Sequence, residues 1–376
     1  MYQCCVPCLM GVEGLVADEL KFGGFRDVRA ENGRVFFSAD MPDIARANVW
    51  LRCGARVLIL LGAFEAPTFD ALFEGVKALP LGPLIGPEDA FPVKGHTLKS
   101  ALQSVPACQS IVKKAAVDCL RAAHDVELLP ETGARRQLQF IIQDDRAEIY
   151  LDTTGFSLYR RGYKLEQNEA SLRETLAAAM VKLARYRGRE PLIDPMCGSG
   201  TLVIEAAMAA LNLAPGMHRD FDAETWGEGW HTAFAAAKAE ARAQGDAKLQ
   251  EQAGRPLSIT GRDTDPAAIA QAVANAKRAG LDGLIDIAVG DACALEYPPK
   301  GVLLCNPPYG KRLLDIDAAR ALYRRWGQAL GGTDALKKYI ISSDEDFERH
   351  FGETAQKKRK LYNGMIKCNL FMYYSK

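Results

Sequence analysis

Residues 192–207, LIDPMCGSGTLVIEAA, decide the fold. A short apolar strand runs into Asp194, a Gly-x-Gly turn follows at Gly198 and Gly200, and an apolar helix begins at once. Glycine lets a backbone come close to a ligand, and a helix start presents N–H groups with no partner of their own. Residue identity excludes the two commonest loops of this kind. A dinucleotide site wants a third glycine where Val203 stands, and a Walker loop wants a lysine that this stretch lacks.

Downstream, PLIDPM, LSITGRD, LIDIAVGD, GVLLCNPP and KKYIISS read as strands, separated by the helical runs GTLVIEAAMAALNL, DPAAIAQAVANAKRAG and DAARALYRRWGQALGG. That alternation predicts an α/β fold with a mostly parallel, doubly wound sheet. The last run, KRKLYNGMIKCNLFMYY, carries Asn363-Gly364 and adds an antiparallel hairpin at one edge. Between 213 and 256 lies a polar, Ala-rich insertion, expected to be partly helical and without chemistry.

The acids give the sheet a ligand. Asp263 ends the second strand, where such a sheet sets a carboxylate on ribose hydroxyls, and the insertion explains its long spacing from Gly200. Asp291 ends the third strand, in reach of an adenine amino group. Each could instead cap the next helix, as Asp265 before Pro266 is expected to do. Three acids at successive strand ends around a glycine turn are better explained by one adenosine-bearing ligand. The fourth strand stops at LLCNPPYG, residues 303–310, because proline cannot donate to a sheet ladder.

Upstream, residues 1–64 read as β-α-β-β-α-β, hinged at Asn32-Gly33, which is the ferredoxin-like split βαβ order. Residues 65–164 read as a helix at TFDALFEGVKAL, a strand at DAFPVKG, a long helix at PACQSIVKKAAVDCLRAA and a hairpin turning at Asp144-Asp145. A third unit, the doubly wound sheet, is expected over 165–376.

Composition narrows the function classes. Lys+Arg and Asp+Glu are equal at 47 each, so any polyanion site must be a local patch. No apolar run approaches the roughly 20 residues of a spanning helix, the first residues lack a basic leader pattern, and the ten cysteines read as reduced thiols. A cytoplasmic protein without membrane partner is expected. Cys4, Cys5 and Cys8 lack a matching Cys/His pair at zinc spacing, so no metal is expected.

DPMCGSGT, GRDTDP, GDA and NPPYG, in that order, resemble motifs I to IV of class I S-adenosylmethionine-dependent methyltransferases acting on amino groups of bases. VKGHTLKSALQSVPACQSIVKKAAVDCL resembles a THUMP RNA-binding domain, and YRRGYK with EASLRETLAAAMV resembles the junction to such a catalytic half. Together they cover nearly the whole chain and are most similar to single-function, RlmL-type guanine-N2 methyltransferases of 23S ribosomal RNA. The resemblance implies S-adenosyl-L-methionine as cofactor, held by Asp194, Pro195, Cys197, Gly198, Ser199 and Gly200 at the methionine end, with Asp263 on the ribose, Asp291 on the adenine and Asn306 also in the cofactor site. Arg173 and Thr175, in the preceding motif, are placed toward the methionine carboxylate.

An exocyclic amine is a poor nucleophile, because its lone pair is delocalised into the ring. Asn306 offers a side-chain oxygen, Pro307 a carbonyl stiffened by Pro308, and Tyr309 a ring to stack on a flipped-out base. Catalysis would then rest on positioning for direct displacement, without metal or covalent intermediate. Cys197 and Cys305 invite a thiol-nucleophile mechanism, but packed thiols are the expectation at both positions. RNA contacts are expected from Lys94, Lys99, Lys113 and Lys114, which lie in an acid-free span, and from Arg160, Arg161 and Lys164 at the junction. The partner is ribosomal RNA, and the chain is expected as a monomer or weak homodimer. Three rivals stand beside this reading: an adenine-N6 DNA methyltransferase, a tRNA guanine-N2 methyltransferase and a non-catalytic RNA-binding factor.

Overall fold

The computed structural model describes residues 1–164, 172–252, 255–309, 316–333 and 335–374. The chain begins with β1 (Tyr2–Pro7), α1 (Glu13–Phe22), β2 (Arg26–Glu31), β3 (Arg34–Ala39), α2 (Met41–Trp50) and β4 (Leu58–Glu65), in the expected ferredoxin-like order. Asn32 and Gly33 form the β2–β3 turn, with Glu31 opposite Arg34 and Gly33 at φ 74°. Cys4 and Cys5 are fully buried on opposite faces of β1, as the period-2 geometry of a strand requires. No group of three or more metal-ligating side chains occurs among the described residues.

Next come α3 (Phe69–Lys77), β5 (Val93–Leu98), α4 (Val105–His124), β6 (Leu138–Gln143) and β7 (Arg146–Asp152). The strand expected at 89–95 is displaced toward the C-terminus, starting only after Pro92, whose nitrogen carries no hydrogen to donate. The β6–β7 turn uses Asp144 and Asp145, both in the left-handed region, with Gln143 paired to Arg146. Because β7 pairs with β4, strands from both N-terminal stretches form one seven-stranded sheet in the order β2-β3-β1-β4-β7-β6-β5.

The remaining elements are α5 (Glu174–Leu183), β8 (Leu192–Asp194), α6 (Thr201–Ala210), α7 (Glu228–Gln252), β9 (Ile259–Asp263), α8 (Pro266–Arg278), β10 (Asp286–Val289), β11 (Lys300–Cys305), α9 (Ile316–Ala329), β12 (Ala335–Ser342), α10 (Phe347–Phe351), β13 (Lys357–Asn363) and β14 (Ile366–Tyr373). They build a second sheet in the order β10-β9-β8-β11-β12-β14-β13. The first five strands are parallel, and β14 and β13 close the edge antiparallel. Strand order reverses between β8 and β11, so the crevice beyond their carboxyl ends is the topological switch point where such sheets bind ligands.

The insertion has a structural task. Helix α7 packs against α2 of the first sheet's layer, burying Trp230, Phe234, Ala237 and Ala241. Ahead of it, the Trp226 indole N–H donates to the Arg135 carbonyl at 2.8 Å, and the Arg136 guanidinium donates to the Trp226 carbonyl at 3.0 Å. The segment therefore buttresses the second sheet against both N-terminal stretches. Among the described residues no helix is long and apolar enough to cross a membrane.

Candidate functional site

The glycine loop leaves β8 at Asp194, whose strand is gripped between β9 and β11. The Met196 N–H donates to Asp194 Oδ1 at 3.3 Å. The Cys197 N–H donates to the Arg262 carbonyl at 2.7 Å, carrying the loop across to the end of β9. There the Gly198 N–H donates to Asp263 Oδ2 at 2.9 Å. Gly200 sits at φ 82°, and a Cβ on it would lie 3.0 Å from the Ala272 methyl on α8. Both the conformation and the close helix favour glycine. Gly198 is the opposite case: at φ 52°, an added Cβ would meet nothing within 4 Å, so the loop's outer side is open. From α8, the Asn275 amide donates to the Ser199 carbonyl at 2.9 Å and is itself held by Arg278, whose Nε also donates to the Tyr163 carbonyl. Pro195 is buried and Ser199 half-buried.

Asp194 is buried, and burial pushes its carboxyl up to about 8, with Asp263 adding to the shift. The Met196 N–H and the Cys305 thiol partly oppose it by donating to the carboxylate. Asp263 is half-buried; its second oxygen accepts from the Asp265 N–H at 3.0 Å. Asp265 caps α8 as expected, accepting from the Ala267 N–H at 2.8 Å. Asp291 is exposed beyond β10, with Oδ1 accepting from the Cys293 N–H at 2.9 Å. Burial holds the Cys197 and Cys305 thiols far above their usual range. Neither supplies the thiolate that a nucleophile needs.

β11 ends at Cys305, and the next four residues turn over the switch point. Asn306 Oδ1 is buried with no hydrogen-bond partner among the described residues. Such an orphan acceptor costs about 1–3 kcal/mol, which a donor arriving in the crevice would relieve. The Tyr323 hydroxyl, from α9, donates to the Pro308 carbonyl at 2.8 Å. Tyr309 is buried, and its hydroxyl accepts from the Asn363 amide at 2.9 Å. Asn363 ends β13 and is 3% exposed. The β13–β14 turn is Gly364-Met365, with Asn363 still paired to Ile366, one residue later than the sequence suggested. Tyr323 was not singled out from sequence, and Asn363 was read only as a turn residue. Gly310 and residues 165–171 of the junction motif lie outside the described residues.

Thr175 is buried in the first turn of α5, and Arg173 is exposed just before that helix. Two of the seven expected RNA contacts require correction. Arg161 is buried, 3.4 Å from Glu205, and donates to the carbonyls of Leu51, Leu158 and Arg52. The Lys164 side chain is buried against Glu174 at 3.5 Å and donates to the Leu172 carbonyl. Both cations hold the junction together from inside, so neither faces a polyanion. Lys113 is committed to Glu131 and lies 3.4 Å over the Phe91 ring. Lys94, Lys99, Lys114 and Arg160 are exposed.

Residues 161–371 match the family model "RMKL-like, methyltransferase domain", and residues 3–58 match the "RlmL ferredoxin-like domain". The chain belongs to the RMKL-like methyltransferase family. It is 40% identical to the "Putative RNA methyltransferase YpsC" of Bacillus subtilis, over 98% of this chain and 94% of that protein. It is 33% identical to the "Ribosomal RNA large subunit methyltransferase K/L" of Aliivibrio fischeri over 95% of its own length, but spans only 51% of that relative. Two solved structures superpose at a TM-score of 0.91. One is "SMU.472, a putative methyltransferase complexed with SAH", at 37% identity over 100% of this chain and 98% of that one. The other is "a predicted N6-adenine-specific DNA methylase" from Listeria monocytogenes, at 40% identity over 100% and 96%. This RMKL-like chain is an S-adenosylmethionine-dependent methyltransferase. Its residues fit the cofactor: a Cβ at Gly198 would meet nothing within 4 Å, which leaves room for a ligand against the loop, and the buried Asn306 Oδ1 is an acceptor without a donor among the described residues.

Proposed function

We propose that the protein methylates the exocyclic N2 amine of a guanine in 23S ribosomal RNA. The observation that carries this reading is the buried, unpartnered Asn306 Oδ1, set beside a tyrosine ring fastened by Asn363. An exocyclic amine has two N–H donors. Asn306 Oδ1 accepts one and the Pro307 carbonyl the other, fixing the nitrogen lone pair toward the methyl donor. Tyr309 stacks on the extruded base, and Tyr323 keeps the loop from yielding by holding the Pro308 carbonyl. Pairing the orphan acceptor favours the amine in the pocket and offsets part of the cost of extrusion.

Bound S-adenosylmethionine supplies an electrophilic methyl on a positively charged sulfur. Asp194, Pro195, Cys197, Gly198, Ser199, Gly200 and Thr175 would hold its methionine end. Asp263 would accept from the ribose hydroxyls through lone pairs left beside its two backbone bonds, since a carboxylate offers about four acceptor sites. Asp291 Oδ2 would accept from the adenine amine. The product proton leaves to solvent, as no histidine adjoins the motif. We assign residues 1–64 and 65–164 to RNA engagement and 165–376 to catalysis. The exposed Lys94, Lys99, Lys114 and Arg160 supply phosphate contacts.

The Asn-Pro-Pro-Tyr geometry serves adenine N6 as well as guanine N2, and the relatives' names divide between RNA and DNA. The N-terminal match to the RlmL ferredoxin-like domain favours RNA. The deciding experiment supplies labelled S-adenosylmethionine with 23S rRNA, tRNA and DNA, and digests the products to nucleosides. N2-methylguanosine from 23S rRNA supports the reading, whereas N6-methyladenine from DNA alone refutes it.

A further inference from the structure

Beside the Asn363 hairpin lies a surface outside both the glycine loop and the Asn-Pro-Pro-Tyr turn. In the loop from Gly155 to Arg160, the Phe156 ring is 62% exposed, with the Arg160 guanidinium 4.9 Å from its centroid. Next to it, the Arg173 guanidinium stacks 5.2 Å from the centroid of Tyr159. Both arginines are exposed. Exposed cation–aromatic pairs present stacking planes and positive charge together, the combination that unpaired nucleotides require.

The platform is built rather than loose. Arg219, from the insertion, is 9% exposed and donates to the carbonyls of Ser157 at 2.8 Å, Arg160 at 3.1 Å and Phe156. Arg56 holds the Gly155 carbonyl from the other side. The platform also lies against the β13–β14 turn. Arg173 Nη2 lies 3.9 Å from where a Cβ on Gly364 would sit, and Gly364 follows Asn363, whose amide holds Tyr309. At the same tip, Met365 is 99% exposed.

We infer that Phe156, Tyr159, Arg160 and Arg173, with Met365 at the rim, form a stacking platform for single-stranded RNA nucleotides flanking the base held by Asn306 and Tyr309. This rests on the RNA reading above and adds to it where the displaced strand runs. Base–aromatic stacking is sequence-tolerant, so the platform selects an unpaired strand rather than a sequence. It also gives the insertion a functional consequence, because Arg219 holds the loop in shape.

The test uses the full chain, a fluorescein-labelled single-stranded RNA decamer and a hairpin of the same composition. Wild type is expected to bind the single strand more tightly than the hairpin. Phe156→Ala should weaken single-strand binding about tenfold, with the salt dependence unchanged. Arg160→Gln should lower the salt slope by about 0.7, the increment for one phosphate contact on a single strand. Both variants should raise KM for rRNA while retaining wild-type affinity for S-adenosylhomocysteine and wild-type melting temperature. If wild type methylates no RNA, the functional reading fails regardless of these variants. If wild type methylates RNA and Phe156→Ala matches it in decamer affinity and KM, only the platform is overturned. A Phe156→Ala defect seen solely with ribosomal protein present would also overturn it, by making the surface a protein contact.

Discussion

Replacing Asn363 with alanine removes the 2.9 Å donation to the Tyr309 hydroxyl without touching substrate, cofactor or the Asn306 amide. Both partners are nearly sealed from water, at 3% and 7% exposure, so solvent cannot replace the lost donor. Removing one partner of a buried hydrogen bond costs about 1–3 kcal/mol. Spent entirely on the orientation of the stacking ring, that is a fall in kcat of roughly five- to 150-fold, at about 1.4 kcal/mol per decade. Tyr309→Phe keeps the ring and removes the hydroxyl, so it should lose a similar factor by the same route. The double variant should then be scarcely worse than either single one. Single-turnover methyl transfer at saturating RNA reads this, with S-adenosylhomocysteine binding as a check that the cofactor pocket is intact. Costs that add to within about 0.5 kcal/mol would refute coupling through this bond, as would an Asn363→Ala enzyme with unchanged kcat.

Three further outcomes follow from the same geometry. Burial raises the folded-state pKa of Asp194 to about 8, so between the unfolded carboxyl's range near 4 and pH 8 the folded state binds the extra proton. The cofactor-free protein should therefore lose stability as pH rises through that window, and urea titrations at pH 5 and 8 should show Asp194→Asn flattening the loss. Arg161→Met should cost stability by stranding Glu205, about 3–5 kcal/mol for a buried pair broken on one side, while the salt slope of RNA binding stays at the wild-type value. Gly200→Ala should weaken S-adenosylhomocysteine binding in calorimetry, because its φ of 82° and the Ala272 methyl 3.0 Å away both resist a Cβ.

Sequence carried much of this site because its determinants are local. The Gly-x-Gly turn, the acids closing successive strands and the Asn-Pro-Pro-Tyr stop each sit within a few residues, and a parallel sheet gathers strand ends into one crevice by topology alone. The two-residue hairpins at Asn32-Gly33 and Asp144-Asp145 were legible for the same reason. What escaped depends on distant partners. Arg161 and Lys164 resemble a surface patch until Glu205 and Glu174 are brought against them. Asn363 reaches Tyr309 across 54 residues, and no periodicity announces that contact. The insertion, polar and Ala-rich as text, acquires its role only when α7 meets α2 and Arg219 meets the Gly155–Arg160 loop.

The central claim is that Asn306 holds a guanine N2 amine of 23S rRNA. Nucleoside mass spectrometry of 23S rRNA from cells lacking the protein, complemented with wild type or Asn306→Ala, tests it directly. The account predicts N2-methylguanosine at a new site with wild type and its absence with Asn306→Ala at equal protein level. A full N2-methylguanosine signal from Asn306→Ala, or a wild-type-dependent mark found only as N6-methyladenine in DNA, would contradict it.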